Sequence, residues 1–308
     1  MTRLLITGAS GLLGISLAME AMREYEVIGV DRGKLKSAPF QVIKADLSHK
    51  NVMDPVIDST QPDWLVNCAA LANLDECEKY PDRARILNSE FPGELATVCA
   101  KKGVRFVHIS TDAVFDGEKT GIYTEEDQPN PLGVYSQTKL EGERAVREAN
   151  PEAIIARVNF FGWSLSGNRS LGEFFVANLS AGRSVNGFTD VIFCPMLVNH
   201  TARFLLAMLE KGLCGIYHVV GKQAMNKYQF GVEIARKFGL TESFISPKSI
   251  LSSSLTARRS HNLWLSTHKL STDIGQEIPK FSTGLDEFYT QFQQGYPQKI
   301  RSYQQETA

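Results

Sequence analysis

Three side chains within thirty residues of one another could move a proton and steady a charge. Tyr135 and Lys139 stand four apart, a spacing that puts both on one face of a helix. A phenol with an ordinary pKa of about 10 exchanges protons poorly near neutrality. An adjacent ammonium favours the phenolate and should draw that value down. Taken alone, the pair also describes a solvated helix face with an aromatic edge. Thr111 adds to it. It ends the run Val104-Arg105-Phe106-Val107-His108-Ile109-Ser110-Thr111, an apolar strand with two hydroxyls at its carboxyl end, where open α/β sheets bind ligands. There a hydroxyl can hydrogen-bond a substrate carbonyl while Tyr135 gives that oxygen a proton.

Such chemistry needs a hydride source, and the start of the chain is shaped for one. Leu4-Leu5-Ile6-Thr7-Gly8-Ala9-Ser10-Gly11-Leu12-Leu13-Gly14 reads as strand, turn and helix start. Gly8 permits the sharp exit from the strand, Gly11 lets the backbone approach a pyrophosphate, and Gly14 permits close helix packing. Ser10, Leu12 and Leu13 complete the segment expected at a dinucleotide, NADP(H) or NAD(H). Asp31 and Arg32 end the second strand and point opposite ways. The acid suits an NAD ribose and the base suits an NADP 2′-phosphate. Asp46, followed by Leu47, ends the third strand, where it can bond an adenine amine or cap the next helix.

These groups must be carried by a regular frame. Short apolar runs at Arg3–Thr7, Val27–Val30, Gln41–Lys44, Trp64–Asn67, Val104–Ser110 and Ile154–Val158 are expected strands. Helical stretches at Leu12–Glu24, Arg83–Lys102 and Tyr135–Glu148 separate several of them. That alternation predicts an α/β fold with a doubly wound parallel Rossmann sheet. Phe91-Pro92-Gly93 should kink or break the second helix, and Gly103 should end it. Later helices are expected at Gly172–Ala181, Asn199–Lys211, Lys227–Phe238 and Gly284–Phe292, with a strand at Gly215–Val220 and a Ser-rich loop around Ser252–Ser254. The expected division is a dinucleotide-binding core over 1–160, with a returning helix and strand at about 190–220. A smaller C-terminal substrate-binding part then covers 161–189 and 221–308. The tail beyond Tyr296 is polar and is expected to fray.

Composition removes other classes. Lys plus Arg total 33 against 34 Asp plus Glu, a formal net charge of −1. Nucleic-acid binders usually show a basic excess, so none is expected here. No apolar stretch approaches the roughly 18 residues that cross a membrane, and glycines interrupt the apolar start where a signal peptide would need a clean core. The expected location is therefore cytoplasmic. The five cysteines are widely spaced with no Cys-x-x-Cys, and the histidines show no metal-ligand spacing, so neither a disulfide framework nor a metal site is expected.

With these residues in view, the chain resembles the extended short-chain dehydrogenase/reductases, and within them the dTDP-4-dehydrorhamnose reductase family. The resemblance rests on Ser110-Thr111-Asp112-Ala113-Val114-Phe115-Asp116-Gly117, on Tyr123-Thr124-Glu125-Glu126-Asp127 with Pro129 and Pro131, and on Tyr135 through Lys139-Leu140-Glu141-Gly142-Glu143. Asn67-Cys68-Ala69-Ala70 is similar to the family segment beside the nicotinamide. Arg259-Ser260-His261-Asn262 is similar to its C-terminal Arg-Pro-x-Asn, with Ser260 in place of the proline. The resemblance implies reduction of the C4 ketone of a nucleotide-linked 4-keto-6-deoxyhexose. It makes Tyr135 the general acid, gives Lys139 the grip on the ribose and sets Thr111 to orient the ketone. Cys68, Ala69 and Ala70 would line the cofactor site, and Val114, Phe115, Phe160 and Arg259 the sugar-nucleotide site. Phe160 serves equally as packing at the domain junction. The implied partner is a nucleotide-sugar substrate, and homodimer formation stays open. Two alternatives remain. One is an NAD-dependent epimerase or dehydratase of the same branch. The other is a non-catalytic NADP-binding regulatory subunit, since the β subunit of methionine adenosyltransferase resembles this same family.

Overall fold

The computed structural model describes residues 1–252 and 258–304. Its centre is a sheet of seven strands, all parallel: β1 (Arg3–Thr7), β2 (Glu26–Asp31), β3 (Gln41–Lys44), β4 (Trp64–Asn67), β5 (Arg105–Thr111), β6 (Ile154–Val158) and a later strand, β11 (Gly215–Val219). Their spatial order is β11-β6-β5-β4-β1-β2-β3. The order reverses between β1 and β4, which opens a crevice above their carboxyl ends. Short pairs lie outside the sheet: β7 (Phe160–Phe161) with β10 (Met196–Leu197), β8 (Val185–Phe188) with β13 (Ile245–Lys248), and β9 (Ile192–Phe193) with β12 (Met225–Asn226).

Successive strand residues face opposite sides, and β1 shows it. Leu4 and Ile6 pack with Leu13 and Leu17 of α1 (Leu12–Ala21). Leu5 packs the other way, with Val56 and Ile57 of α2 (Asp54–Thr60). The chain continues through α3 (Leu74–Lys79) and α4 (Pro81–Arg85) to α5 (Phe91–Lys102), whose Leu95, Ala96 and Cys99 cover that second face. Next come α6 (Val134–Ala149), α7 (Leu171–Ser180), α8 (Val198–Glu210) and α9 (Lys227–Phe238). Last are α10 (His268–Ile274), α11 (Phe281–Gln293) and α12 (Tyr296–Ser302). α8 packs against α1 beneath the sheet's first face. A second core holds Phe161, Trp163, Phe175, Phe230, Phe281 and Phe288. Trp163 stacks on Phe288 at 4.1 Å and donates its indole N–H to the Phe288 carbonyl, so it packs the interior rather than facing a ligand.

The expected break at Pro92 takes a specific form. A five-residue π turn, Ile86–Glu90, joins α4 to α5, with Pro92 in the first turn of α5. Proline offers no N–H to the carbonyl four residues back, here that of Asn88. That carbonyl lies against α6, only 2.1 Å from where a Cβ on Gly142 would stand. Glycine at 142 is therefore what lets α6 approach. The Asn88 side chain locks the junction: its amide donates to the Leu71 carbonyl and to Thr138 Oγ1, and its oxygen accepts the Leu71 N–H.

Two expectations need correction. The first helix stops at Ala21, with Met22 as its C-cap, short of Glu24. The tail is not frayed over its described residues: α12 forms, with Ile300 and Tyr303 buried in the second core. Of the Ser-rich loop, Ser252 ends a short 3₁₀ turn, while Ser253 and Ser254 lie outside the described residues. Among the described residues no helix is long and apolar enough to cross a membrane.

Candidate active site

The glycine loop leaves β1 at Gly8, whose φ of +66° suits glycine. A Cβ on Gly14 would stand 2.2 Å from the Gly8 carbonyl, which explains the third glycine as a packing requirement. Gly11 is the N-cap of α1 and provides no side-chain cap. The first N–H groups of the helix, on Leu12 and Leu13, thus have no side-chain partner, the arrangement that receives a phosphate. A cleft above the loop is lined by Gly8, Ser10, Gly11, Asp31, Arg32, Asp46, Leu47, Cys68, Ala69 and Ala70. Lys34, Arg83 and Arg169 join them. The shape and the cationic rim fit a dinucleotide. Leu12 and Leu13 are buried, so they can meet a ligand through the backbone only.

Asp31 is committed to the protein. Its Oδ2 accepts the backbone N–H of Gly33 at 2.7 Å and of Leu35 at 3.3 Å, and that of Lys34 between them. Burial would raise its pKa, but hydrogen bonds from Ser10 and these N–H groups outweigh it and hold the carboxyl below its usual value. Asp46 is exposed, and its Oδ1 accepts the N–H and the hydroxyl of Ser48. It caps the turn after β3 while still lining the cleft.

Across the switch point, the side chains at the strand ends interlock. Thr7 Oγ1 donates to Asn67 Oδ1 at 2.6 Å, and the Ala69 N–H donates to the same oxygen. The Asn67 amide nitrogen lies 3.2 Å from His108 Nδ1, and His108 Nε2 lies 3.3 Å from Lys139 Nζ. Lys139 is almost fully buried and donates to the Ile109 carbonyl at 2.5 Å. Burial pulls its pKa down to about 8, with Glu143 and Cys68 opposing the shift. Glu143, one turn further along α6, accepts Ser110 Oγ at 2.6 Å and pairs bidentately with Arg157 at 2.8 and 2.9 Å.

Thr111, Tyr135 and Lys139 are thus brought together by β5 and α6. Tyr135 and Thr111 share a side-chain hydrogen bond. The expected lowering of the Tyr135 pKa does not occur. Burial pushes it up to about 12, the Thr111 hydrogen bond opposes this, and Asp112 adds to it. The phenol therefore stays protonated, the state a proton donor needs. Asp112 is buried beside Thr111, which donates to it at 3.1 Å, and Asn159 Nδ2 donates to it at 2.5 Å. Burial raises its pKa to about 6.

The residues expected to meet the sugar divide. Val114 and Phe115 are fully buried, and Phe115 stacks on Tyr123 at 4.3 Å beneath the Arg157 guanidinium. With no accessible surface, their side chains are core and do not line a pocket. Phe160 is half-buried and pairs through β7 with β10. Arg259 is half-buried, and its Nη1 is buried without a hydrogen-bond partner. Burial and the nearby Arg259 lower the pKa of Lys227, with the charge of Asp112 opposing. Lys227 thus lies within electrostatic reach of both Asp112 and Arg259. Ser260, at the position of the family's proline, donates its hydroxyl to the Phe115 carbonyl at 2.7 Å. Arg203 of α8 pairs with Glu20 and Glu287.

Sequence reasoning missed Lys34, Arg83, Arg169, Asn159 and Lys227. Each is a single polar residue outside any recognisable spacing. Lys227 had one signal, a cation at the first position of a helix otherwise read as ordinary. Among the described residues, no three His, Cys, Asp or Glu side chains are grouped so as to hold a metal ion.

Comparison with known proteins finds relatives over most of the chain. The chain is 32% identical over 286 residues to the "Probable low-salt glycan biosynthesis reductase Agl14" of Haloferax volcanii, covering 91% of this chain and 95% of that protein. It is 33% identical to the methionine adenosyltransferase 2 subunit beta of Bos taurus, covering 92% and 86% respectively. A dTDP-4-dehydrorhamnose reductase of Bacillus anthracis, solved in complex with NADP, superposes with a TM-score of 0.85 at 25% identity, over 94% of this chain and all of that one. The family model described as the RmlD substrate binding domain matches residues 1–294, which takes in the glycine loop, the Thr111–Tyr135–Lys139 group and Arg259 alike, and the chain belongs to that family.

Proposed function

We propose that the chain is an NADPH-dependent reductase of the C4 ketone of a nucleotide-linked 4-keto-6-deoxyhexose. The observation that carries this reading is the Tyr135 hydroxyl, hydrogen-bonded to Thr111 at the carboxyl end of β5. The glycine loop and the N-terminus of α1 would hold the diphosphate, and Cys68, Ala69 and Ala70 would lie beside the cofactor. When bound, the reduced nicotinamide supplies the hydride. The protein's own part is to orient the ketone through Thr111 and to hand the Tyr135 proton to its oxygen as negative charge develops there. A positioned acid of this kind contributes about 10²–10⁴-fold. Lys139 grips the ribose and provides a nearby positive charge as Tyr135 gives up its proton. Lys227 and Arg259 supply cations for the anionic part of the substrate.

The preference for NADPH rests on Asp31. Its carboxylate already serves Ser10 and three backbone N–H groups, so it is withdrawn from a ribose diol. Arg32 and Lys34 stand exposed on the cleft beside it, where a 2′-phosphate would sit. Arg32→Ala should weaken NADPH binding about tenfold and leave NADH unchanged.

The deciding experiment follows loss of NADPH and NADH absorbance with and without a dTDP-4-keto-6-deoxyhexose generated in place. Ketone-dependent loss, faster with NADPH, is expected. A second reading, a non-catalytic NADP-binding regulatory subunit, is favoured by the 33% identity to the methionine adenosyltransferase subunit over 92% of the chain. Cofactor binding without turnover, together with complex formation on adding a methionine adenosyltransferase catalytic subunit, would select it.

A further inference from the structure

The stretch after β2 carries Lys34 into the cofactor cleft, yet it belongs to no helix or strand. Its backbone is nevertheless fixed at five successive N–H groups. Those of Gly33, Lys34 and Leu35 donate to Asp31 Oδ2. Those of Lys36 and Ser37 donate to the carbonyl of Tyr303, at 2.8 and 3.2 Å. Ser37 Oγ adds a bond to the Ser302 carbonyl at 3.2 Å. Tyr303 follows α12, and its ring and Ile300 are buried in the same core as Leu35 and Leu165.

The same helix end meets a second stretch of the cleft. Arg169 lines the cleft from the loop that precedes α7. Two residues before it, Gly167 has φ +74°, and the Arg301 guanidinium lies 2.4 Å from where a Cβ would be. Arg301 therefore occupies the space that any side chain at 167 would need. One short helix thus abuts two loops, each presenting a cation to the cleft.

We propose that α12 with Tyr303 is a positioning element of the cofactor cleft, fixing the Lys34 and Arg169 loops in their binding arrangement. The physical basis is preorganisation. A loop already ordered by folding does not have to be ordered by the ligand, and affinity rises accordingly. Tyr303 and Arg301 are positioning residues in this account, acting through Lys34 and Arg169. The proposal rests on the cofactor reading of the cleft.

The test uses fluorescence titration with NADPH and with NADH, which needs no sugar substrate. Three proteins are compared: the full chain, a chain ending at Arg301, and Gly167→Ala, with thermal unfolding recorded for each. The shortened chain should bind NADPH about tenfold more weakly and NADH within threefold, because Lys34 acts on the 2′-phosphate alone. That change in the NADPH/NADH ratio would not follow from a general loss of stability. Gly167→Ala, which leaves Tyr303 in the chain, should weaken both cofactors by displacing Arg169. It decides the matter if the shortened chain does not fold. Full-chain binding with unchanged Kd values in the folded variants would overturn the positioning role alone. No binding by the full chain would remove the cofactor reading, and this proposal with it.

Discussion

Arg157→Met should unfold the protein more readily than almost any other single change near the site, and the structure shows why. Arg157 and Glu143 are 2% and 3% exposed, so both charges have left water. Their bidentate pairing and the bond from Ser110 are what compensate Glu143. Removing the guanidinium leaves a carboxylate buried with a single donor, a change of about 3–5 kcal/mol. Loss of the cation over the Phe115 ring, at 5.0 Å, adds roughly 0.5–2 kcal/mol. The unpartnered Arg157 Nη1 works against this, since removing a buried orphan donor recovers about 1–3 kcal/mol. The net expectation is about 3–4 kcal/mol, or, at about 2.1 cal/mol/K of unfolding entropy per residue over the 308 residues, a fall in Tm of roughly 5–6 °C.

The assay is thermal unfolding followed by circular dichroism on Arg157→Met, Glu143→Met and the double variant. The double variant should melt above either single one, because no charge is left stranded. A single variant within about 1 kcal/mol of the parent, or a double variant that is simply additive, would refute this account of the pair.

Tyr135→Phe should lower ketone-dependent turnover by at least about 100-fold while the NADPH Kd stays within twofold; retained turnover would remove its role as acid. Burial pulls the Lys139 pKa down to about 8, so its positive charge is present below that pH and lost above it. Accordingly kcat/KM for NADPH should decline above about pH 8, and a plateau through pH 9.5 would count against the ribose contact. Gly142→Ala would set a Cβ 2.1 Å from the Asn88 carbonyl, and the resulting shift of α6 should destabilise by about 1–3 kcal/mol. Because α6 carries Tyr135 and Lys139, turnover should fall with it, as a parallel melt and rate assay would show.

Much of the frame was legible because its signals are local. β1, β3, β4 and β6 end where their apolar runs meet polar residues or glycine, and they match the expected spans to the residue. α2 and α3 were missed because seven- and six-residue helices are too short to show periodicity. The grouping of Thr111, Tyr135 and Lys139 followed from spacing and strand ends. The direction of the Tyr135 shift did not, since burial and the neighbouring Asp112 exist only in the folded chain. The same holds for Val114 and Phe115, buried in one cluster with Tyr123 and Leu140, where Phe115 also meets Arg157 and His218. α12 was misjudged because its sequence is polar, and three buried residues, Pro297, Ile300 and Tyr303, anchor it through contacts far away in the chain.

The bond from the Ser37 N–H to the Tyr303 carbonyl also sets an order of events during synthesis. Its two ends are separated by 303 − 37 = 266 residues. At about 5–20 residues per second, Tyr303 is made roughly 13–53 s after Ser37. Through that interval the first six strands can pair as they emerge, while the loop after β2 has the Asp31 carboxylate but not yet the Tyr303 carbonyl to hold it. The oldest part of the cleft is therefore the last to be finished. A ribosome stalled late in the message releases a chain whose sheet is complete and whose loop after β2 still lacks its clasp.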